Sequence, residues 1–487
     1  MSVAALIEWP EDAFEDYPLA LWTAAEIAAA TGGSVSGAFE VAGVEIDSRD
    51  VREGDLFFAL KGETTDGHRF LEMAFSKGAG AAVVDRPVPY PHVLVADTTR
   101  ALELLATAAR ERVADTTTVL GVTGSVGKTS VKEALFAALD RASHGRAHRS
   151  VKSYNNHVGV PLSLARMAAG SRFGVFELGM NHAGEIAALT AQVRPHVALI
   201  TTIAPAHIEN LGSEEAIADA KAEIFAGLEP GGVAVIPADS VHYARLKAAA
   251  EAVGAQVIGF GRAAHADVRL LDAVPAAGGG SLVTADLGDR RVCYTVAAPG
   301  DHWVINSLAV MAAVRAAGGD LGAAGLALAE LQGLKGRGAR HEITAADGGT
   351  ALLIDESYNA NPASMAATLA QLGEGHAARR IAVLGAMKEL GEHGPAFHAA
   401  LAAPMAAAGV DYAILVGDEM TALADELGKS ARPALGKTIP FAHCRTAAEA
   451  LTALAELGVA RGDAILVKGS NSVGLGAVVE ALIAKEG

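Results

Sequence analysis

Cysteine is scarce: only Cys293 and Cys444 occur in 487 residues, far apart and in no metal-ligand spacing. That scarcity excludes a disulfide-stapled scaffold and a cysteine-based zinc site, and it predicts a reducing compartment with both thiols as ordinary packing residues. Long hydrophobic runs are missing too, since no stretch reaches the ~18 apolar residues of a spanning helix. The acidic run of Glu8, Glu11, Asp12, Glu15 and Asp16 lacks the basic segment of a signal peptide. A cytoplasmic location without membrane insertion is therefore expected. Positive charge is in short supply: 39 Lys and Arg stand against 56 Asp and Glu, a formal net charge of -17. A broad field able to grip nucleic acid or an anionic membrane is excluded, so any phosphate site must be local.

What is present is a well-buried composition, 51% hydrophobic and 20% charged. The length exceeds what one core can serve. Short apolar strand-like runs alternate with helical patterns, which predicts an α/β protein with mostly parallel sheets. Three domains are expected: a small N-terminal α/β domain over 1–112, a central P-loop domain with a parallel sheet over 113–333, and a C-terminal Rossmann-like domain over 334–487. Residues 281–296, with Leu-Gly-Asp between two alternating runs, predict a hairpin. The glycine-studded stretch 333–338 predicts a hinge.

The strongest chemical signal is Thr123-Gly124-Ser125-Val126-Gly127-Lys128-Thr129-Ser130, set between a predicted strand and a predicted helix. Glycines let backbone N–H groups approach phosphate oxygens, Lys128 supplies a cation to the β/γ-phosphates, and Thr129 offers a hydroxyl to Mg2+. Val122 stands where the full P-loop pattern has its first glycine.

This shortened loop resembles that of the Mur ligase family, and further motifs follow in order. Ser153 to Pro161 resembles the family's N-N-x-x-G-x-P loop, and Glu177-Leu-Gly-Met-Asn-His-x-Gly-Glu185 its E-L-G-x-N-H-x-G-E segment. The resemblance implies that Glu177 is a Mg2+ ligand beside Thr129, and that Asn155 and Asn156 face the reacting group. In Ala206-His207-Ile-Glu-Asn-Leu-Gly212, His207 takes the position that reaches a second metal or the γ-phosphate. Lys221 matches a lysine carried as a carbamate in several members; CO2 adds only to a neutral amine, so that role needs a depressed pKa. His302 and Asn306 match the adenine-binding segment, with Trp303 replacing an asparagine, and an indole there can pack on a purine. Ser48, Arg49, Lys61 and Asp66 fall in elements resembling those that hold a uridine diphosphate.

The most discriminating match is Asp355-Glu-Ser-Tyr358-Asn359-Ala-Asn361-Pro362 with Met365, which resembles the motif of members that add D-alanyl-D-alanine. It implies that Asp355 touches ATP and that Tyr358, Asn359 and Asn361 contact the dipeptide. The alternative for Asn361 is a turn before Pro362. Arg337 and Arg340 match a segment approaching the γ-phosphate, Arg340 being the first choice, and Asn471 replaces the arginine of a Lys-Gly-Ser-Arg motif.

The resemblance thus implies ATP-dependent ligation of D-alanyl-D-alanine to a UDP-N-acetylmuramoyl-tripeptide through an acyl phosphate. Lys128, His207, Lys221 and Arg340 are the expected catalytic residues, ATP and two Mg2+ ions the expected cofactors, and a monomer without nucleic-acid partners the expected state. Alternatives are an amide ligase of the same family with another amino donor, such as a tripeptide or folylpolyglutamate synthase, or a P-loop switch ATPase.

Overall fold

A computed structural model describes residues 20–62, 65–206, 208–276, 279–331, 333–429 and 438–484. These form two compact units, one of residues up to Thr118 together with Arg146–Phe176, the other of Val119–Gly145 with Glu177 onward.

In the first unit, β1 (Trp22–Thr23) pairs antiparallel with β3 (Glu40–Val41), and a five-stranded sheet combines β2 (Ser34–Val35), β4 (Gly43–Glu45), β5 (Asp55–Phe58), β6 (Ala81–Val84) and β7 (His92–Leu94). Its order is β2-β7-β6-β5-β4, parallel except for β2 against β7. β5 and β6 are buried throughout, as the unbroken apolar runs of covered parallel strands require. Asp97 caps the helix Thr98–Glu111 by accepting from the backbone N–H of Thr99 and Arg100 at 2.8 and 3.0 Å. That helix buries Leu102 and Leu105 against Leu162 and Ala165 of the helix Gly159–Ala165. Trp22 Nε1 donates to the Ala165 carbonyl at 2.8 Å. The expected cut near residue 112 therefore misses a return of the chain: 146–176 completes the core that 20–118 begins.

After β8 (Thr118–Thr123) come β9 (Ala147–Arg149), β10 (Phe173–Glu177), β11 (Val197–Ile200), β12 (Val233–Pro237), β13 (Gln256–Gly261), β14 (Val268–Pro275), β15 (Ser281–Asp286) and β16 (Arg291–Val296). In the second unit β8, β11, β12, β13 and β14 run parallel in that order, and β14, β15 and β16 form an antiparallel extension. The predicted hairpin is β15 and β16; β14 is an additional strand beside it. Gly127, at φ 87°, starts the helix Lys128–Ala142, which is the helix expected after the loop.

The second sheet of this unit contains β17 (Ala339–Thr344), β18 (Thr350–Glu356), β19 (Arg380–Gly385), β20 (Tyr412–Val416), β21 (Phe441–Cys444) and β22 (Ala464–Lys468). Its order is β17-β18-β22-β19-β20-β21, parallel except for the edge strand β17. The glycine stretch expected as a hinge is a tight turn, with Leu334 and Arg337 exchanging backbone hydrogen bonds. Among the described residues no helix is long and apolar enough to cross a membrane.

Candidate active site

The phosphate loop follows the carboxyl end of β8, and its shape is fixed from the neighbouring strand. Ser125 N–H donates to the Thr202 carbonyl at 2.8 Å. Ser125 Oγ donates to the Ala204 carbonyl at 2.9 Å, and Thr201 Oγ1 to the Val126 carbonyl at 2.6 Å. Gly124, at φ 144°, lies so close to Thr201 that an added Cβ would come within 2.0 Å of its hydroxyl. Ser130 lies in the first turn of the helix that follows, whose start carries no side-chain cap. Its first N–H groups are thus an anion site of the kind that helix starts provide. Lys128 Nζ donates back to the Gly124 carbonyl at 2.7 Å.

Thr129 and Glu177 are both buried, and the threonine hydroxyl donates to Glu177 Oε2 at 2.8 Å. Lys221, 2% exposed, lies in the last turn of the helix Glu214–Ala222. Desolvation, then the charge of Lys128, hold its pKa well below the ordinary lysine range. Lys128 is itself shifted down by desolvation against the favourable charge of Glu177, with a further push from the Arg337 guanidinium. The structure therefore gathers Lys128, Thr129, Glu177, Lys221 and Arg337 at one electrostatic locus. His207 lies outside the described residues. Among the described residues no three His, Cys, Asp or Glu form a metal-binding group.

Asp355 was expected to touch ATP, but it is 1% exposed and its carboxylate is already engaged. Oδ2 accepts from Gly336 N–H at 2.7 Å, and Oδ1 from the N–H and hydroxyl of Ser357 at 3.1 and 2.6 Å. Its observed part is to pin the turn that presents Arg337. That guanidinium lies 4.2 Å above the Tyr358 ring. Arg340, the first choice from sequence, is an exposed residue of β17 and makes no side-chain hydrogen bond or ion pair among the described residues. Asn361 Oδ1 accepts from Ser364 N–H at 2.9 Å and caps the helix Pro362–Glu374. Its capping role is the one its bonds display. Asn359 Oδ1 accepts from Ala360 N–H, while its backbone carbonyl accepts from the buried Lys468 at 3.0 Å. Asn306 lies with its amide against Gly127, where an added Cβ would be 3.2 Å away. His302 precedes Trp303, whose indole is buried in the core and so is not available as an open platform for a purine.

Three family models cover most of the chain: the Mur ligase family catalytic domain over residues 40–121, the Mur ligase middle domain over 122–314, and the glutamate ligase domain over 339–471. A UDP-N-acetylmuramoyl-tripeptide:D-alanyl-D-alanine ligase from Synechocystis is 36% identical over 450 residues, covering 90% of this chain and 91% of that protein. The chain belongs to the Mur ligase family. An Escherichia coli ligase of the same name is 35% identical over 443 residues, covering 90% and 93% of the two chains. Among solved structures, MurF from Acinetobacter baumannii matches at 31% identity with a TM-score of 0.80, covering 96% of this chain and 100% of that one. MurF from Thermotoga maritima in complex with ADP matches at 27% identity and 0.71, over 90% and 96%.

In this Mur ligase the residues expected to hold a uridine diphosphate all lie in the first unit. Ser48 is buried and donates to Met73 Sδ at 3.2 Å. Arg49, with its side chain 80% exposed, pairs with Asp47 at 2.6 Å and holds that carboxyl down at about 2. Lys61 pairs with Asp85. Asp66 accepts from Arg86 and meets His68 Nδ1, both at 2.7 Å, which hold its carboxyl far below the ordinary range. Asn156 Oδ1 accepts from the N–H groups of Val158 and Gly159 and so shapes its own loop, with Asn155 beside it. Sequence reasoning missed Thr201, because an uncharged residue after a buried strand carries no signal. It also missed Glu223, whose carboxylate accepts from Gly184 and Ala187 N–H at 2.7 and 3.1 Å and so orients the segment after Glu177.

Proposed function

We propose that this enzyme joins D-alanyl-D-alanine to the terminal carboxylate of a UDP-N-acetylmuramoyl-tripeptide with cleavage of ATP to ADP and phosphate, as a cytoplasmic monomer. The observation that carries the reading is the meeting of a phosphate loop with a turn from the second sheet: Lys128, on β8's loop, feels the charge of Arg337, whose turn leads into the Ser-Tyr-Asn-Ala-Asn-Pro segment. The full-length similarity to ligases of that name supports the choice of substrates.

A free carboxylate cannot acylate an amine because its oxygen is a poor leaving group. The tripeptide carboxylate attacks the γ-phosphorus, the bond to the β-bridging oxygen breaks, and ADP departs. The neutral amine of the dipeptide then attacks the acyl carbon, the C–O bond to phosphate breaks, and a proton is lost from nitrogen. Lys128 and the helix start behind it hold the β/γ-phosphates, and Arg337 neutralises charge on the transferring group. Glu177 and the Thr129 hydroxyl would hold Mg2+, a hard-oxygen pair that fits an ion also coordinated by phosphate oxygens; the ion supplies charge neutralisation. The buried, neutral-leaning amine of Lys221 suits conversion to a carbamate, which would add an oxygen donor. His207, outside the described residues, keeps the phosphate-side role its motif implies.

Purified enzyme is tested for phosphate release and product mass with ATP, UDP-linked tripeptide and D-alanyl-D-alanine, against single amino acids as donors. Dipeptide-dependent release with a pentapeptide product is expected, and Lys128→Ala abolishes it. Equal phosphate release without peptide substrates, or preference for a single amino acid, refutes the proposal.

A further inference from the structure

The wall of the phosphate loop runs on into a contact with the second sheet. Thr201, Thr202 and Ala204 hold Val126 and Ser125 by the bonds described above, and Ala204 N–H also donates to Ser125 Oγ at 3.0 Å. The same stretch leads into the short helix Ile208–Leu211 and then, past the capping Ser213, into the helix that carries Lys221. Ile208 packs against the core cluster of the second sheet that contains Leu384, Met387, Leu390 and Leu401. Glu209 N–H donates to the Glu389 carbonyl at 3.4 Å. The segment that shapes the phosphate loop is therefore seated on the loop that follows β19.

That receiving loop is held in one shape. His398, 1% exposed, fixes it from behind: its Nε2 accepts from Met387 N–H at 2.9 Å, so Nδ1 carries the proton and donates to the Gly394 carbonyl at 2.7 Å. Burial lowers the pKa of this histidine, which favours the neutral ring that both bonds need. Lys388 N–H donates to Ser470 Oγ at 3.0 Å, and Ser470 N–H to the Ala386 carbonyl at 3.1 Å. Gly391 then stands at φ 54°, where an added Cβ would lie 3.1 and 3.3 Å from Cγ and Cβ of Glu209. Glycine answers two demands at this position, a left-handed backbone and a close approach to another sheet's segment.

We infer that loop 387–391 positions the phosphate loop from the second sheet, and that Gly391 is the positioning residue whose lack of a side chain lets Glu209 seat. The inference rests on the ligase activity proposed above. It routes the shape of the Ser125 to Lys128 loop through a residue that touches no substrate.

The test compares wild type, Gly391→Ala, Glu209→Gly and the double variant for turnover at saturating substrates and for ADP affinity by calorimetry. Gly391→Ala alone is expected to lower turnover at least about tenfold and weaken ADP at least about threefold, with the KM for the UDP-linked tripeptide unmoved. Where Glu209→Gly is already present, the same methyl costs no more than about threefold in turnover and leaves ADP affinity unchanged, because only a contact of ordinary length, 3.5 Å to the Cα of residue 209, remains. If Glu209→Gly stops turnover by itself, the ADP comparison decides. If Gly391→Ala does not fold, Ile208→Ala decides instead, since it undoes the seating without adding bulk, and the same losses are expected. Equal losses with and without Glu209→Gly, unchanged turnover, or a rise confined to the KM for D-alanyl-D-alanine overturns the inference. A wild-type enzyme that binds ADP but ligates no donor refutes the proposed activity, while the ADP comparison still judges the positioning role.

Discussion

Lys221 places an amine where water hardly reaches, next to another cation, and that setting favours the neutral form CO2 requires. Lys221→Ala should lose nearly all ligation, and short-chain carboxylates should restore part of it in a size-dependent way, as phosphate release will show; full activity of the variant contradicts the role. The sequence singled out this lysine only through its neighbours in a motif. Its burial was not legible, because helix Glu214–Ala222 carries acidic residues in its first turn and lysines usually face solvent. His148 illustrates the same blindness in the first unit. Its Nε2 lies 2.7 Å from the Ser163 carbonyl, and burial pushes its pKa down to about 4 from 6.5. The unfolded chain then binds more protons between those values, so this group's stabilising effect is complete above pH 6.5 and is lost as pH falls towards 4. His148→Gln should flatten the acid limb of the stability profile in that window, measured by urea unfolding at several pH values.

Helix Pro362–Glu374 begins with Asn361 and Ser364 exchanging bonds, so removal of Asn361's side chain unties a helix start. Asn361→Ala should cost about 1 kcal/mol of unfolding free energy, and Asn361→Ser should recover most of it, because both residues can cap. A variant as stable as wild type would show that the cap is dispensable and return Asn361 to the substrate. The strands that sequence made visible, such as Tyr412–Val416 and Ala81–Val84, are the unbroken apolar ones buried on both faces. Those it passed over are edge or half-exposed strands. β17 exposes Arg340 and reads as linker, β14 alternates weakly, and β21 spans four residues with a histidine exposed. Their pairing comes from the sheet beside them rather than from their own pattern.

At the scale of the whole molecule, the two pieces of the first unit are separated by the phosphate loop and its helix, Val119–Gly145. A domain cut at residue 112 was the natural reading, because no composition shift announces that residues 146–176 return to the earlier core. A fragment ending at Thr118 should fail to unfold cooperatively by circular dichroism, since it lacks Leu162 and Ala165 of the core and the acceptor for Trp22. A fusion of 20–118 to 146–176 through a short Gly/Ser linker should regain a sharp transition; a cooperative transition in the shorter fragment would show that the return segment is an accessory. The same interruption has a meaning during synthesis. When Thr118 leaves the ribosome, the faces of Leu102 and Leu105 have no partner, and their cover, the helix ending at Ala165, is complete only about 47 residues later, a wait of roughly 2–9 s at about 5–20 residues per second. Through that interval the strand and helix of the phosphate loop emerge ahead of the segment that completes the first unit, so the nascent chain exposes a greasy helix face that trigger-type chaperones could shield.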